Sequence, residues 1–73
     1  MSSFKNDVAN EFRRAVNDPQ NIVNGKPDWD FVEADVMIEF TVDTVIENMG
    51  SLSEFFSYFE ELVDLHLAAQ ETL

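Results

Sequence analysis

The sequence predicts a small all-α domain of three helices, in which helices 2 and 3 form an antiparallel hairpin. Apolar residues recur at three- and four-residue spacing in three stretches of the chain, as they do on one face of a helix. Only two Gly and two Pro occur in 73 residues, which indicates long elements and few turns. Hydrophobic residues make up 45% of the chain, which is too many for a disordered protein of this charge. We therefore expect one domain over residues 1–73.

Helix 1 is predicted over residues 3–17. Ser2 or Ser3 stands where a hydroxyl caps the first turn of a helix. An apolar stripe follows at helical spacing: Phe4, Val8 and Phe12. Pro19 ends the helix, because the residue before a proline is pushed out of helical geometry.

Residues 18–28 are predicted to form a loop. Asn24 and Gly25 favour a turn with positive φ angles. Ile22 and Val23 are the apolar residues inside this loop, so they either pin it to the core or form a short extended piece.

Residues 29–49 allow two interpretations. As a helix, the stretch carries an apolar stripe with steps of three and four residues: Phe31, Ala34, Ile38, Val42, Val45 and Met49. Asp28 or Asp30 would cap its start, and Gly50 stands in the position of a left-handed C-cap. As a strand, residues 31–42 alternate between apolar and polar side chains.

We favour the helix, because a lone strand needs a partner strand and the chain offers no second alternating stretch of similar length. The alternative is an α+β protein in which residues 31–42 pair with their copy in a dimer. The many β-branched residues of this stretch keep that alternative open.

Helix 3 is predicted over residues 52–71. Ser51 and Glu54 have the spacing of a capping box. The apolar stripe behind them follows a heptad: Leu52, Phe55, Phe59, Leu62, His66, Ala69 and Leu73. Because only Gly50 and Ser51 separate helices 2 and 3, we expect an antiparallel hairpin.

The net charge of −11 is unevenly distributed along the chain. Residues 1–27 hold all four basic residues against three acids, whereas residues 28–73 hold twelve acids and no Lys or Arg. Phosphate binding needs clustered Lys and Arg, so direct binding to nucleic acid or to an anionic membrane is not expected. The negative charge of residues 28–73 favours a basic protein partner. The alternative is that the acidity only keeps the chain soluble.

The predicted partner-binding residues are four carboxylates at strict four-residue spacing in the second helix: Asp35, Glu39, Asp43 and Glu47. On one helix they would form a row with a charge about every 6 Å, roughly half the linear density of one DNA strand. Imitation of DNA would therefore need a second row, from helix 3 or from another protomer. The alternative is a solvated helix face, or one that is balanced by the bases of helix 1: Lys5, Arg13 and Arg14.

In size and charge, the chain resembles the small acidic proteins with which phages block host enzymes that act on nucleic acids. The resemblance is one of composition and covers no defined motif. It implies an inhibitor that docks on the basic, nucleic-acid-binding surface of another protein.

A dense set of aromatic residues predicts self-association as a homodimer. One helix face cannot hide all four rings of Phe55, Phe56, Tyr58 and Phe59. Trp29 and Phe31, just after the loop, could extend the same patch. The alternative is that these rings are ordinary core. A homo-oligomeric structural or assembly protein is accordingly the second candidate function.

Nothing in the sequence predicts catalysis, a metal or a cofactor. The chain has no Cys, and its single histidine, His66, accompanies no recognisable nucleophile motif. Neither a calcium loop nor a Gly-rich phosphate loop is present in the sequence. Because no signal peptide or membrane-spanning run is evident, we expect a soluble cytoplasmic protein.

Overall fold

A computed structural model describes residues 3–71 of the chain. Its helices are α1 (Phe4–Val16), α2 (Trp29–Ile38), α3 (Val42–Met49) and α4 (Leu52–Glu71). A short 3-10 turn (Pro19–Asn21) and two short strands, β1 (Ile22–Val23) and β2 (Lys26–Pro27), connect α1 to α2. The prediction of a mainly helical protein is confirmed. The predicted count of three helices is wrong, because the described residues form four.

Helix α1 matches its predicted bounds to within one residue at each end. The Ser3 hydroxyl accepts a hydrogen bond from the Asn6 N–H at 3.1 Å and so caps the first turn. Ser2, the other predicted cap, lies outside the described residues. The buried face of α1 follows the predicted stripe from Val8 to Phe12 and continues to Ala15 and Val16.

The predicted loop contains a small β-hairpin. The strands β1 and β2 are antiparallel, with Ile22 opposite Pro27 and Val23 opposite Lys26. Asn24 and Gly25 connect them with φ angles of 55° and 80°. A two-residue hairpin with positive φ at both positions favours Asn-Gly, because its twist matches that of the strands. The predicted turn and the predicted short extended piece are both confirmed.

The long second helix of the prediction is two helices. Helix α2 ends at Ile38, where the Glu39 and Phe40 N–H groups bond to carbonyls three residues back and tighten the last turn. Thr41 then stands directly before α3, at a position where Thr is a preferred cap residue. The strand alternative for residues 31–42 is wrong as well, since 29–38 and 42–49 are helical.

The buried face of α2 differs from the predicted stripe. Val32 and Val36 are fully buried, whereas Phe31 is half exposed and Ile38 is 79% exposed. Val32 and Val36 have helical spacing, and so do Phe31 and Ile38. Because most residues of α2 are apolar, periodicity alone could not show which of the two stripes is buried. Helix α2 packs against α1, and its buried side chains are Val32 and Val36.

Helix α4 confirms the third predicted helix and its capping residue. The Ser51 hydroxyl accepts a hydrogen bond from the Glu54 N–H at 3.3 Å. Gly50 has a φ of 94° and donates its N–H to the Ile46 carbonyl at 2.8 Å, which ends α3 with a left-handed residue. The last stripe residue, Leu73, lies outside the described residues.

The chain divides between Thr41 and Val42 into two compact units. In the N-terminal unit (residues up to 41) α2 packs against α1, and in the C-terminal unit (residues from 42) α3 packs against α4. The buried apolar side chains of the C-terminal unit are Val45, Phe55 and Phe59. Across residues 3–71, none of the helices combines the length and apolar character needed to cross a membrane.

Candidate functional site

Asp35 is the most strongly bound of the four predicted partner-binding carboxylates. The two terminal nitrogens of Arg14 donate hydrogen bonds to its two oxygens, at 3.3 Å for Nη1 to Oδ2 and 3.2 Å for Nη2 to Oδ1. Asn21 donates a third hydrogen bond to Oδ2 at 2.9 Å. These bonds favour the charged form, so the pKa of Asp35 is lowered, by Arg14 first and by Asn21 second.

Arg14 links α1 to several acidic residues of the N-terminal unit. Its Nε donates to Glu11 Oε2 at 2.7 Å, and its Nη2 lies 3.8 Å from Glu39 Oε1. The hydrogen bonds to Asp35 and then to Glu11 raise the pKa of Arg14 further above its usual range. The first half of the predicted row is thus balanced by a base of α1, which was the alternative interpretation of the row.

Asn21 is the polar residue of this cluster that sequence reasoning missed. Its side chain is buried, and its Nδ2 donates to the Ala15 carbonyl at 3.0 Å as well as to Asp35. Its own carbonyl accepts from the Asp28 N–H at 2.7 Å. Asn21 therefore ties the end of α1 to the start of α2. Asn is common in solvated loops, so nothing in the local sequence distinguishes a buried one.

Glu39 lines an open groove of about 280 Å³ in the N-terminal unit. Three carboxylates and two further residues surround this groove: Asp7, Glu11 and Glu39, with Asn10 and Phe40. The Phe40 ring meets Phe4 of α1 edge to face at a centroid distance of 5.1 Å. Asp7 and Glu11 of α1 were not part of the predicted row, although they add negative charge to the groove that Glu39 lines.

Asp43 and Glu47 lie on α3 in the C-terminal unit, and both are exposed. Because residues 39–41 are not helical, the four predicted carboxylates do not form one continuous row on a single helix. The continuous row is therefore corrected to two pairs, one in each unit. Asp43 lies in the first turn of α3, where the helix dipole stabilises a carboxylate.

The two units differ in how their charge is balanced. The N-terminal unit holds eight acids and all four basic residues, and Arg14 forms ion pairs with three of the acids. The C-terminal unit holds seven acids and no Lys or Arg in its sequence. Its carboxylates thus have no Lys or Arg within their own unit to neutralise them.

The four residues predicted to mediate self-association differ in exposure. Phe55 and Phe59 are 0% and 3% exposed, so their rings present no surface to a second copy in this conformation. Trp29 is half-buried and stacks on Phe12 with the ring planes 4° apart. Phe56 is 39% exposed and meets Phe55 edge to face. Self-association itself stays a prediction, and Phe56 is the ring of this set best placed for it.

An open groove of about 450 Å³ lies along α4. Three apolar or aromatic side chains, Tyr58, Leu62 and Leu65, line it together with the carboxylates of Glu61 and Asp64. Leu65 is 67% exposed, more than the other exposed large apolar side chains of α4, Phe56 and Leu67.

His66, the single histidine of the sequence, lies on α4. Its Nε2 lies 3.1 Å from Gln70 Nε2, one helical turn further on. Within the part of the chain that the structure describes, no group of three or more His, Asp or Glu residues is arranged to hold a metal ion.

No protein-family model, curated protein or solved structure matches this chain. The function must therefore be inferred from the arrangement of its own residues.

Proposed function

We propose that this chain is a non-catalytic, acidic interaction module that binds a basic surface of another protein. The observation that carries the proposal is the charge of the C-terminal unit, which has seven acids and no Lys or Arg. Such a surface attracts a basic partner over a distance and disfavours acidic ones. A cytoplasmic location is consistent with the absence of Cys.

The residues proposed to make this contact lie mainly in the C-terminal unit. The carboxylate of Asp35 already accepts hydrogen bonds from Arg14 and Asn21, so it has less capacity to bind a basic group of a partner. Asp43 and Glu47 of the predicted row remain exposed on α3, and α4 adds Glu60, Glu61 and Asp64. We take α3 and α4 as an antiparallel hairpin, because the two helices pack together across a two-residue connection.

The partner's surface is proposed to be one that normally binds nucleic acid. Surfaces that bind phosphates carry clustered Lys and Arg, and they are the strongest basic surfaces that proteins commonly expose. An acidic module that covers such a surface would act as an inhibitor of the kind that phages use. The two separated pairs of carboxylates give this proposal less geometric support than a continuous row would have given.

A charge-neutralised variant of α3 tests the proposal. Asp43→Asn with Glu47→Gln removes two negative charges from the C-terminal unit. Binding of a fluorescent oligolysine to the full chain is followed by anisotropy at low salt. We expect the affinity to fall roughly tenfold, equivalent to about 1.4 kcal/mol.

The matched control is Asp30→Asn with Glu33→Gln, which removes the same two residue types from α2 of the N-terminal unit. We expect this variant to lose less than about threefold in affinity when both variants are compared at about 0.1 M salt, because the Debye length is then about 10 Å and distant charges are screened. Equal losses in the two variants would show that only net charge matters. No binding of oligolysine at low salt would refute the proposal.

A homo-oligomeric structural or assembly protein is the second candidate, and the exposure of Phe56, Leu65 and Leu67 on α4 favours it. In that case, light scattering gives a dimeric mass that is lost in Phe56→Asp. Ala68→Asp is the control, since it adds the same charge to an exposed position of α4 without removing an aromatic ring. A monomer at high concentration refutes this second candidate.

A further inference from the structure

Helix α4 is much longer than the helix that packs against it within the C-terminal unit. The 20 residues of α4 extend for about 30 Å, whereas the 8 residues of α3 extend for about 12 Å. Two residues connect the helices, so α3 must lie near the beginning of α4. Leu65 lies about 20 Å from the first residue of α4, beyond the length that α3 can cover as its antiparallel neighbour.

Most of the groove on α4 lies in this longer part of the helix, because Leu62 and Leu65 are about 15 and about 20 Å from its first residue. Tyr58, about 9 Å from that residue, lies at the edge of the part that α3 can cover. Tyr58, Leu62 and Leu65 follow one another at steps of four and three residues, so they share one face and form the apolar part of the groove. Glu61 and Asp64 both fall on the same side of that face. The groove is therefore apolar along its length and negatively charged along one edge.

The spacing of these residues fits a second helix. Tyr58 and Leu65 are seven residues apart, and so are Glu54 and Glu61 beside them. Helices that pack along each other use this seven-residue repeat, with apolar residues at the seam and charged residues at its edge choosing the partner. A strand would find no free backbone hydrogen bonds on α4, whose N–H and C=O groups bond within the helix.

We propose that this groove binds an amphipathic basic helix of the partner protein. Its apolar side chains would lie against Tyr58, Leu62 and Leu65, and its Lys or Arg side chains would pair with Glu61 and Asp64. This inference rests on the proposed function and specifies the shape of the partner. A second copy of the chain is a poor occupant, because it would bring the same carboxylates against each other with no Lys or Arg in either C-terminal unit.

Two labelled peptides of identical Leu and Lys composition test the inference on the full chain. In one, Leu recurs at three- and four-residue steps over about two heptads, and in the other the order is scrambled. We expect the periodic peptide to bind about tenfold more tightly than the scrambled one. Leu65→Ser should abolish this preference while circular dichroism shows an intact fold, since the leucine is already exposed.

Leu67→Ser is the matched control. It makes the same change in the same helix at another exposed leucine, which falls on the opposite side of α4 from Leu65. We expect Leu67→Ser to keep the preference for the periodic peptide. Glu61→Gln with Asp64→Asn should weaken binding of both peptides, because the charged edge of the groove is removed.

The possible results separate the inference from the proposed function. Equal binding of the two peptides to the wild-type chain would overturn the inference and leave a purely charge-driven interaction. Equal effects of Leu65→Ser and Leu67→Ser would also overturn it. A dimer that Leu65→Ser converts to a monomer would show that a second copy occupies the groove. Binding of neither peptide at low salt would refute both the inference and the proposed function.

Discussion

Asp35 shows how a residue predicted for partner binding can be held within its own unit. Arg14 and Asn21 together direct three hydrogen bonds to its carboxylate, and its side chain is 23% exposed. Charged hydrogen bonds of this kind contribute more to stability than a pair of exposed ions in water. We therefore assign Asp35 to the packing of α2 against α1.

Replacement of Asp35 tests this assignment. Asp35→Asn removes the negative charge that faces Arg14, and we expect the free energy of unfolding to fall by about 1 kcal/mol at neutral pH. For a domain of this size, that corresponds to about 4–8 °C in melting temperature. Glu33→Gln in the same helix is the control and should change the melting temperature much less. Equal effects in the two variants would show that Arg14 does not stabilise the unit through Asp35.

The lowered pKa of Asp35 predicts how this contribution depends on pH. In the unfolded chain the pKa of an Asp is about 3.9. In the folded chain the pKa of Asp35 is lower, because Arg14 and Asn21 bind its charged form. The stabilisation is therefore complete above the unfolded pKa and is lost as the pH falls through the folded pKa. Urea unfolding of wild type and Asp35→Asn should give curves that converge from about pH 4 downward. A difference that stays constant down to acidic pH would contradict this.

Phe55 and Phe56 are adjacent in sequence but differ in burial. Phe55 is fully buried and Phe56 is 39% exposed. We expect Phe55→Ala to lower the free energy of unfolding by about 3–5 kcal/mol, because it removes a buried ring and leaves a cavity. Phe56→Ala should cost about 1 kcal/mol, mainly through its edge-to-face contact with Phe55. Chemical denaturation measures both, and a larger effect at Phe56 would show that the assignment of buried and exposed rings is reversed.

At the scale of the elements, the connection between α2 and α3 is the main departure from the sequence prediction. The caps of α1 and α4 were predictable, because Ser3 and Ser51 precede amphipathic stretches with unambiguous spacing. The end of α2 has no Gly or Pro, and Thr41 is an ordinary residue on a helix surface as well as a preferred cap. Such an end is decided by packing within the folded chain rather than by a local sequence signal.

The buried face of α2 is a second feature that the sequence alone could not predict, and it affects the candidate site. Sequence periodicity correctly identified a helix in residues 29–38, but it placed Phe31 and Ile38 toward the core in place of Val32 and Val36. The side of α2 that faces α1 determines which carboxylate meets Arg14. The sequence could therefore suggest that helix 1 balances part of the row, but it could not show that Asp35 is the residue bound most closely or that Asn21 joins it.

Gly50 provides a test of the connection between α3 and α4. Its φ of 94° is strained for residues with a side chain, while no atom lies within 4 Å of where an added Cβ would be. We expect Gly50→Ala to destabilise the chain by about 1–2 kcal/mol through backbone strain alone. Gly50→Asn should cost less, because Asn tolerates left-handed geometry. Thermal unfolding distinguishes the two, and a neutral Gly50→Ala would contradict this turn geometry.

For the whole molecule, the segregation of charge is the central feature. The last of the four basic residues is Lys26, so residues 27–73 contain no Lys or Arg. Arg14 pairs with acids of the N-terminal unit, whereas the sequence of the C-terminal unit contains no Lys or Arg. We propose that this imbalance lets the C-terminal unit attract a partner of opposite charge.

Salt should therefore weaken binding more than it weakens folding. An increase in ionic strength from about 0.01 to about 0.15 M shortens the Debye length from about 30 to about 8 Å. We expect the affinity for oligolysine to fall by more than about tenfold over this range, while the melting temperature changes by only a few degrees. Anisotropy and thermal unfolding on the same samples measure the two effects. Binding that does not respond to salt would contradict a charge-driven interaction.

The most direct test of the proposed binding surface is an NMR titration of the full, isotope-labelled chain with the periodic Leu-Lys peptide. We expect the largest backbone shift changes in the C-terminal unit, centred on residues 58–65 of α4, with small changes around Asp35. Shift changes concentrated in the N-terminal unit, or the absence of any change at low salt, would contradict the assignment of the C-terminal unit as the surface that binds a basic partner.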